Sequence, residues 1–333
     1  MGGGWCEDLA ECTTRAFGKP GNDGDCYIGS SNESCFSTAG ARTPGIDPPF
    51  QEVMDFRDIP SCNGARWCGG LMMNQPETNP LTYDWNKVLV PYCDGGSFGG
   101  SRDDPVPSVL NGSNSHHGAG PVEVYFRGFN NLKAVVDSLV TDHGLGNASH
   151  VLISGDSAGG LATYWHASWY AQRLAHATVV SAPDSGFFFF DPDRFARWGT
   201  SLGWVTSFMN STGALNQDCV AAQRAAGKDV LDCRWPDMAV RHTPEVPTFV
   251  VNSKYDPALL SISEGMSSSS GPTLINDVGR TLVDRVNQSA LLSSTVNAAF
   301  LTSCFQVRAM AVCGPACARA CVRACAGMVH IAA

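Results

Sequence analysis

An α/β fold with a mostly parallel central sheet flanked by helices is predicted by the order of apolar segments along this chain of 333 residues. Short apolar runs typical of buried strands alternate with segments of helical periodicity and with turn residues. Parallel strands need long crossover connections, which are usually helices. The alternation of strands and helices therefore favours a parallel sheet. A hydrophobic fraction of 44% and a charged fraction of 16% indicate a globular, loop-rich protein with a substantial core.

The predicted elements follow a loop-rich start. Residues 1–80 are rich in Cys, Gly and Pro with little periodicity, so we predict long loops pinned by disulfides there. The first strand is predicted at residues 87–93, before the turn residues Asp94, Gly95 and Gly96. The remaining predictions are an extended segment at 122–126, a helix at 130–139, strands at 150–154, 177–181, 248–252 and 298–302, and helical or loop material at 190–240.

Charge and hydropathy argue against two kinds of partner. The net charge of −9 and the pI near 5.3 disfavour nucleic acid, because phosphate binding relies on clustered Lys and Arg. No run approaches the roughly 18 to 20 apolar residues that cross a bilayer, so no transmembrane segment is predicted. The sequence does not indicate an oligomeric state.

Cysteine usage indicates an oxidising compartment. Six of the fourteen cysteines fall within the first 70 residues, a density typical of secreted proteins with disulfides. The start Met1-Gly2-Gly3-Gly4-Trp5, however, has none of the charged and apolar features of a signal peptide. Five Asn-x-Ser/Thr triplets, potential N-glycan acceptors, agree with secretion and begin at Asn32, Asn111, Asn147, Asn210 and Asn287.

The strongest chemical motif is Gly155-Asp156-Ser157-Ala158-Gly159, which joins the predicted strand at 150–154 to a helix. A G-x-S-x-G pattern in this context forms a tight turn that exposes a strained serine for attack on a carbonyl. The helix beginning near Ala158 directs its N–H groups to the same place, where they can stabilise an oxyanion. A chance match in a Gly-rich chain is the alternative, and the strand-turn-helix context argues against it.

A nucleophilic serine needs a base, normally His, and a carboxylate that orients the base. Asp256 follows the predicted strand at 248–252 and is the candidate acid, although Asp-Pro is also ordinary turn chemistry. Asp156 is less suitable, because the turn directs its side chain away from Ser157. His330 is the only histidine after Asp256 and is a weak candidate base. The earlier histidines include His166, for which we predict internal packing or hydrogen bonding, and His116 and His117, which we predict to be solvated.

Several segments together resemble the pectin acetylesterase / Notum family. They are Gly2-Gly-Gly-Trp-Cys6 with Cys12, residues 79–88, Tyr92-Cys-Asp-Gly-Gly-Ser-Phe98, residues 125–128, the Ser157 turn, Asp184-Ser-Gly-Phe-Phe188, residues 252–256 and Ser303-Cys-Phe305. The resemblance implies an α/β-hydrolase-like fold, disulfides, secretion and a Ser-Asp-His esterase that needs no metal or organic cofactor. It also implies that the backbone N–H groups of Gly3 and Gly4 form the oxyanion hole together with that of Ala158.

The sequence departs from the family pattern at both ends. The family's base follows Ser-Cys-Phe-x-His, and Val307 stands at that position here. We therefore expect one esterase domain at 1–305, truncated at its N-terminus, and an atypical Ala/Cys/Arg-rich tail at 306–333 outside the family fold. The tail cysteines 313, 317, 321 and 325 fit no strong zinc pattern, and no metal site is predicted.

Three functions follow from these residues. The first is removal of acetyl groups from a pectin-like polysaccharide through a serine acyl-enzyme. The second is removal of a fatty acyl group from a secreted protein, which needs a deep apolar pocket that residues 187–190 could help to form. The third is an impaired or non-enzymatic family member, favoured by the missing histidine. A hormone-sensitive-type lipase is less favoured, since its His-Gly-Gly-Gly motif is absent.

Overall fold

The computed structural model of the chain describes residues 5–17, 71, 75–77, 79–88, 90, 94–111, 119–189, 196–256, 259–260, 272–289 and 294–303. Within these ranges the structure forms a four-stranded sheet, a separate two-stranded sheet and seven α-helices. No helix in the described ranges is both long enough and apolar enough to span a membrane.

The first half of the chain contributes a helix and a hairpin. Helix α1 (Leu9–Phe17) lies beside strands β1 (Val106–Leu110) and β2 (Gly120–Val124), which pair antiparallel. The register runs from Val106 opposite Val124 to Leu110 opposite Gly120. Both strands alternate exposed and more buried residues, as expected for a sheet that packs on one face only.

The central sheet has the order β3-β4-β5-β6, with every neighbouring pair parallel. Because all four strands run in one direction, their carboxyl ends share one edge, where α/β proteins place their sites. Helix α2 (Gly128–Asp142) precedes this sheet. The strands are β3 (His150–Asp156), β4 (Thr178–Asp184), β5 (Phe249–Ser253) and β6 (Ala298–Thr302).

Helix α3 (Ala158–Arg173) connects β3 to β4 and has ten buried residues. A helix apolar on most of its circumference belongs inside a protein, and the buried Trp165 there donates its indole N–H to the Arg234 carbonyl (2.8 Å). Between β4 and β5 lie α4 (Ala196–Phe208), α5 (Gln217–Ala225) and α6 (Pro236–Arg241). Helix α7 (Pro272–Gln288) connects β5 to β6.

The predicted strands at 150–154, 177–181, 248–252 and 298–302 are confirmed within a few residues, as is the helix at 130–139. The strand predicted at 87–93 is wrong for its described members, because Lys87, Val88 and Val90 are irregular. The extended segment at 122–126 belongs to the antiparallel pair and not to the central sheet. Helix α1 lies in the region predicted as loops. Its amphipathic pattern is short and lies in a Cys- and Gly-rich region, so the helix was not predicted.

Candidate active site

Ser157 occupies the turn between β3 and α3 in a strained conformation. Its backbone has φ 57° and ψ −118°, a combination that non-glycine residues rarely adopt and that costs about 1–3 kcal/mol. Its N–H donates to the Asp184 carbonyl at the end of β4 (3.0 Å). The side chain is half-buried and makes no capping bond to α3, although Ser157 stands at the N-cap position. The hydroxyl is therefore held at the carboxyl edge of the sheet and does not cap helix α3.

Two glycines allow this turn to close. A Cβ on Gly155 would overlap the backbone of Gly159, and a Cβ on Gly160 would lie 2.5 Å from the Asp184 carbonyl oxygen. A Cβ on Gly159 would meet no atom within 4 Å beyond its own neighbours. The prediction that small residues prevent clashes here is confirmed for Gly155, and Gly160 adds a contact that the pattern does not include.

The turn after β4 lies directly beside the Ser157 turn. Ser185 also has a positive φ of 49°, and its N–H donates to the Val251 carbonyl of β5 (2.8 Å). Its hydroxyl donates to Asp184 Oδ1 (2.9 Å). The Phe187 N–H donates to Asn252 Oδ1 (3.1 Å), so the turn after β4 is bonded to strand β5.

Asp256 lies three residues after β5 and is 1% exposed. Its Oδ1 accepts a hydrogen bond from the Leu259 N–H (3.4 Å), and its carbonyl accepts from the Leu260 N–H (2.9 Å). Asp256 thus starts a helical turn at the same edge of the sheet as Ser157. The strands that lead to them, β3 and β5, are separated by β4, so the two strands lie about 10 Å apart.

His166 is confirmed as a packing residue. It is 2% exposed, its ring stacks on Phe129 with centroids 5.4 Å apart, and Nε2 lies 3.1 Å from the Ser97 carbonyl oxygen. Burial lowers the pKa of His166 to about 4, partly offset by the Ser97 carbonyl. The ring is therefore neutral at pH 7. The predictions for Gly3, Gly4, His116, His117, Val307 and His330 lie outside the described residues.

Ala158, the residue expected to supply an oxyanion N–H, is the first residue of α3 and is 1% exposed. The segment after the expected oxyanion glycines packs against residues 94–100, called the 94–100 turn below. The Cys6 N–H donates to the Gly95 carbonyl (3.1 Å), and Cys6 forms a disulfide with Cys12. Trp5 is 4% exposed and contacts Phe188 edge to face, with centroids 5.2 Å apart.

The 94–100 turn is the part of this region to which sequence reasoning gave no role. Its Asp94 is buried, and burial raises the pKa of that carboxyl to about 6, while the backbone amides of Phe98 and Gly96 act in the opposite direction. The signal available was the segment Tyr92-Cys-Asp-Gly-Gly-Ser-Phe98, which carried the family resemblance. A buried acid at the start of a glycine-rich turn could have been suspected there, but the residues that it contacts could not.

A parallel sheet with a strained serine turn after its first strand, and a helix that begins at that turn, defines an α/β-hydrolase-like protein. Residues 61–276 match the family model of Pectinacetylesterase, and the chain belongs to that family. Pectin acetylesterase 5 of Arabidopsis thaliana is 29% identical over 259 residues, which cover 77% of this chain and 48% of that protein. The chain spans about half the length of the curated relatives that it matches over most of its own length.

Notum proteins are also similar to this chain. Palmitoleoyl-protein carboxylesterase NOTUM of Drosophila melanogaster is 31% identical over 131 residues, which cover 37% of this chain and 18% of that protein. A crystal structure of the Wnt deacylase Notum from Drosophila matches with a TM-score of 0.56 at 21% identity, covering 73% of this chain and 66% of that one. At this identity the structural match establishes the fold, which confirms the predicted α/β-hydrolase-like class.

Among the residues that the structure describes, no group of three or more His, Cys, Asp or Glu side chains could hold a metal ion. Phe187, Phe188 and Phe189 are each at most 2% exposed and belong to the main hydrophobic core. They therefore stabilise the turn after β4 from within the core.

Proposed function

We propose that this chain is a serine carboxylesterase that removes acetyl groups from a pectin-like polysaccharide through an acyl-enzyme. The observation that carries the proposal is the conformation of Ser157, whose strained turn places a half-buried hydroxyl at the start of α3. Family membership supports the same chemistry, since the relatives that match most of the chain are named pectin acetylesterases.

In the proposed reaction, Ser157 Oγ attacks the acetyl carbonyl and a base takes the serine proton. The tetrahedral oxyanion accepts hydrogen bonds from the N–H groups of Ala158, Gly3 and Gly4. Collapse breaks the bond to the sugar oxygen, which receives the proton. Water then attacks the acetyl carbonyl and gives a proton to the base, and collapse breaks the bond to Ser157 Oγ, which receives that proton as acetate leaves. Asp256 holds the base in its productive orientation.

The base is the incomplete part of this site. Asp256 is buried two strands from Ser157, and in the proposed mechanism an imidazole lies between the two side chains. The family pattern puts that imidazole at residue 307, which is valine here, and leaves His330 as a weak substitute. The competing proposal is therefore a family member with a hydrolase fold and strongly reduced turnover, because loss of one triad residue removes several orders of magnitude in rate.

A Notum-like activity on an acylated protein is the other alternative. The match to the Drosophila carboxylesterase NOTUM supports it, although that match covers 37% of this chain, against 77% for pectin acetylesterase 5. A long acyl chain also needs an open apolar pocket, and Phe187 to Phe189 are packed in the core. These two observations favour the acetyl ester.

Secretion completes the proposal. Disulfides Cys6–Cys12 and Cys219–Cys233 fit an oxidising compartment, as does the cell-wall polysaccharide substrate.

The proposal is tested by hydrolysis of p-nitrophenyl acetate and by labelling with a fluorophosphonate probe. We expect both to be lost in Ser157→Ala and retained in Ser181→Ala. Ser181 is a suitable control because it is a buried serine whose hydroxyl is hydrogen-bonded to that of Thr248 (2.9 Å). It pairs with Ile153, four residues before Ser157 on strand β3. Release of acetate from acetylated pectin, compared with cleavage of a long-chain p-nitrophenyl ester, separates the two substrate classes.

The variant Val307→His tests the missing base. If residue 307 is the place of the base, the histidine should raise the hydrolysis rate by a factor of about 10²–10⁴, the usual contribution of a general base. The gain should disappear in Ser157→Ala/Val307→His. Background hydrolysis and no labelling in folded samples of both the natural chain and Val307→His would contradict the esterase proposal.

A further inference from the structure

The 94–100 turn has an unusual backbone. Gly95, Ser97 and Phe98 all have positive φ, with values of 63°, 54° and 54°. Two consecutive non-glycine residues in the left-handed region are costly, and such strain persists only where the surrounding structure imposes it. Strain of this kind is concentrated at functional sites.

Ser97 connects the two segments expected to form the oxyanion hole. Its side chain is fully buried. Its Oγ accepts a hydrogen bond from the Trp5 indole N–H (2.7 Å) and donates one to the Ala158 carbonyl (2.7 Å). A single hydroxyl thus joins the residue after Gly4 to the first residue of α3.

Two further bonds fix the position of this hydroxyl. The Ser97 carbonyl lies 3.1 Å from Nε2 of His166, which is on α3. The carbonyl of neighbouring Gly95 accepts the Cys6 N–H (3.1 Å). The backbone of the turn is therefore bonded to the same two segments as the Ser97 side chain, and the hydroxyl cannot shift without breaking contacts on both sides.

We propose that Ser97 is a positioning residue, whose hydroxyl sets the distance between the two halves of the oxyanion hole. This inference rests on the proposed esterase function. Ser97 does not touch the substrate in this scheme. It acts through the Ala158 carbonyl, on the residue whose N–H is a proposed oxyanion donor, and through the indole of Trp5, the residue after Gly4.

The expected effect is on the transition state. Loss of one direct oxyanion donor costs a factor of about 10²–10³ in kcat, and loosening a donor should cost less. We expect Ser97→Ala to lower kcat for p-nitrophenyl acetate and the rate of fluorophosphonate labelling by about tenfold, with KM within about twofold. A merely structural role would instead reduce the folded fraction and leave the kinetics of the folded molecules unchanged.

The experiment uses the full chain and, for measurable turnover, the same substitutions with Val307→His. Ser97→Gly is the second variant, because it also removes the hydroxyl but relieves the left-handed strain. Equal kinetic losses in both variants would assign the effect to the hydroxyl. Ser181→Ala, which removes another buried and hydrogen-bonded hydroxyl, is the control and should keep the parent kinetics.

A spectroscopic measurement follows the bond itself. The indole N–H resonance of Trp5, assigned by its loss in Trp5→Phe, should shift and lose protection from hydrogen exchange in both Ser97 variants. It should stay unchanged in Ser181→Ala. This reading does not require turnover.

The outcomes separate the two proposals. Parent-like kcat and labelling in a folded Ser97→Ala, with the Trp5 resonance shifted, would overturn the positioning role and leave the esterase proposal intact. An unshifted Trp5 resonance would overturn the hydrogen-bond link on which the role depends. Absence of Ser157 labelling in both the natural chain and Val307→His would overturn the esterase function, and the role of Ser97 with it.

Discussion

At the scale of single residues, the glycines around Ser157 have different functions. A side chain at Gly155 would clash with the backbone of Gly159, and one at Gly160 would clash with the Asp184 carbonyl. These backbone atoms have little freedom to move. Gly159 belongs to the recognisable motif, yet a methyl group there would be accommodated. Of the two glycines in the motif, Gly155 is therefore required by the packing and Gly159 is not.

We predict that Gly160→Ala destabilises the protein by about 1–3 kcal/mol, because the added methyl would force α3 away from the end of β4. Gly155→Ala should have a similar cost. Gly159→Ala should be neutral or stabilise slightly, since alanine is the better helix former. Urea unfolding measures the three free energies. A Gly160→Ala protein as stable as Gly159→Ala would show that the contact with Asp184 is not required.

At the scale of elements, the 94–100 turn and α3 bury two titratable groups with opposite pH behaviour. Burial raises the pKa of Asp94 to about 6 from an ordinary 3.8, and it lowers the pKa of His166 to about 4 from 6.5. Asp94 therefore contributes stability that is complete below its unfolded pKa and is lost as the pH rises through 6. His166 contributes stability that is present above 6.5 and is lost as the pH falls towards 4. Each effect is about 3 kcal/mol.

These contributions nearly cancel in the natural chain between pH 4 and 7, and single substitutions should reveal them. Relative to the natural chain, Asp94→Asn should lose about 3 kcal/mol of stability when the pH is lowered from 7 to 4. His166→Gln, which retains an N–H donor for the Ser97 carbonyl, should gain about as much over the same interval. Denaturant unfolding at several pH values measures both differences. Parallel pH profiles for the three proteins would contradict the opposed titrations.

At the scale of the whole molecule, the sequence predicted the central sheet better than its surroundings. The strands β3 to β6 were found because short apolar runs bounded by turn residues signal buried parallel strands. The pairing of β1 with β2 was not found, because Val106–Leu110 carries a proline and only weak alternation. For the site, the local pattern predicted the Ser157 turn, whereas the links made by Ser97 join residues 92 and 61 positions apart and follow only from the tertiary fold.

Two disulfides among the described residues contribute to the stability of the whole molecule. Cys219–Cys233 closes a loop of 14 residues between α5 and the turn before α6, and Cys6–Cys12 closes one of 6 residues beside the 94–100 turn. Loop-closure entropy gives about 3 and about 2 kcal/mol for loops of these lengths, and the two loops are separate in the chain, so the effects should add. Their sum is a large share of the 5–15 kcal/mol that usually separates folded from unfolded domains.

We therefore predict that Cys219→Ala/Cys233→Ala lowers the free energy of unfolding by about 3 kcal/mol. This variant should unfold at a lower denaturant concentration and retain the labelling rate of Ser157. Cys6→Ala/Cys12→Ala should lose about 2 kcal/mol and should also label more slowly, because that disulfide holds the segment bonded to Gly95 and Ser97. Addition of a reductant to the natural chain should reproduce both losses. Unchanged unfolding after reduction would mean that the protein does not need an oxidising compartment, and would remove the physical argument for secretion.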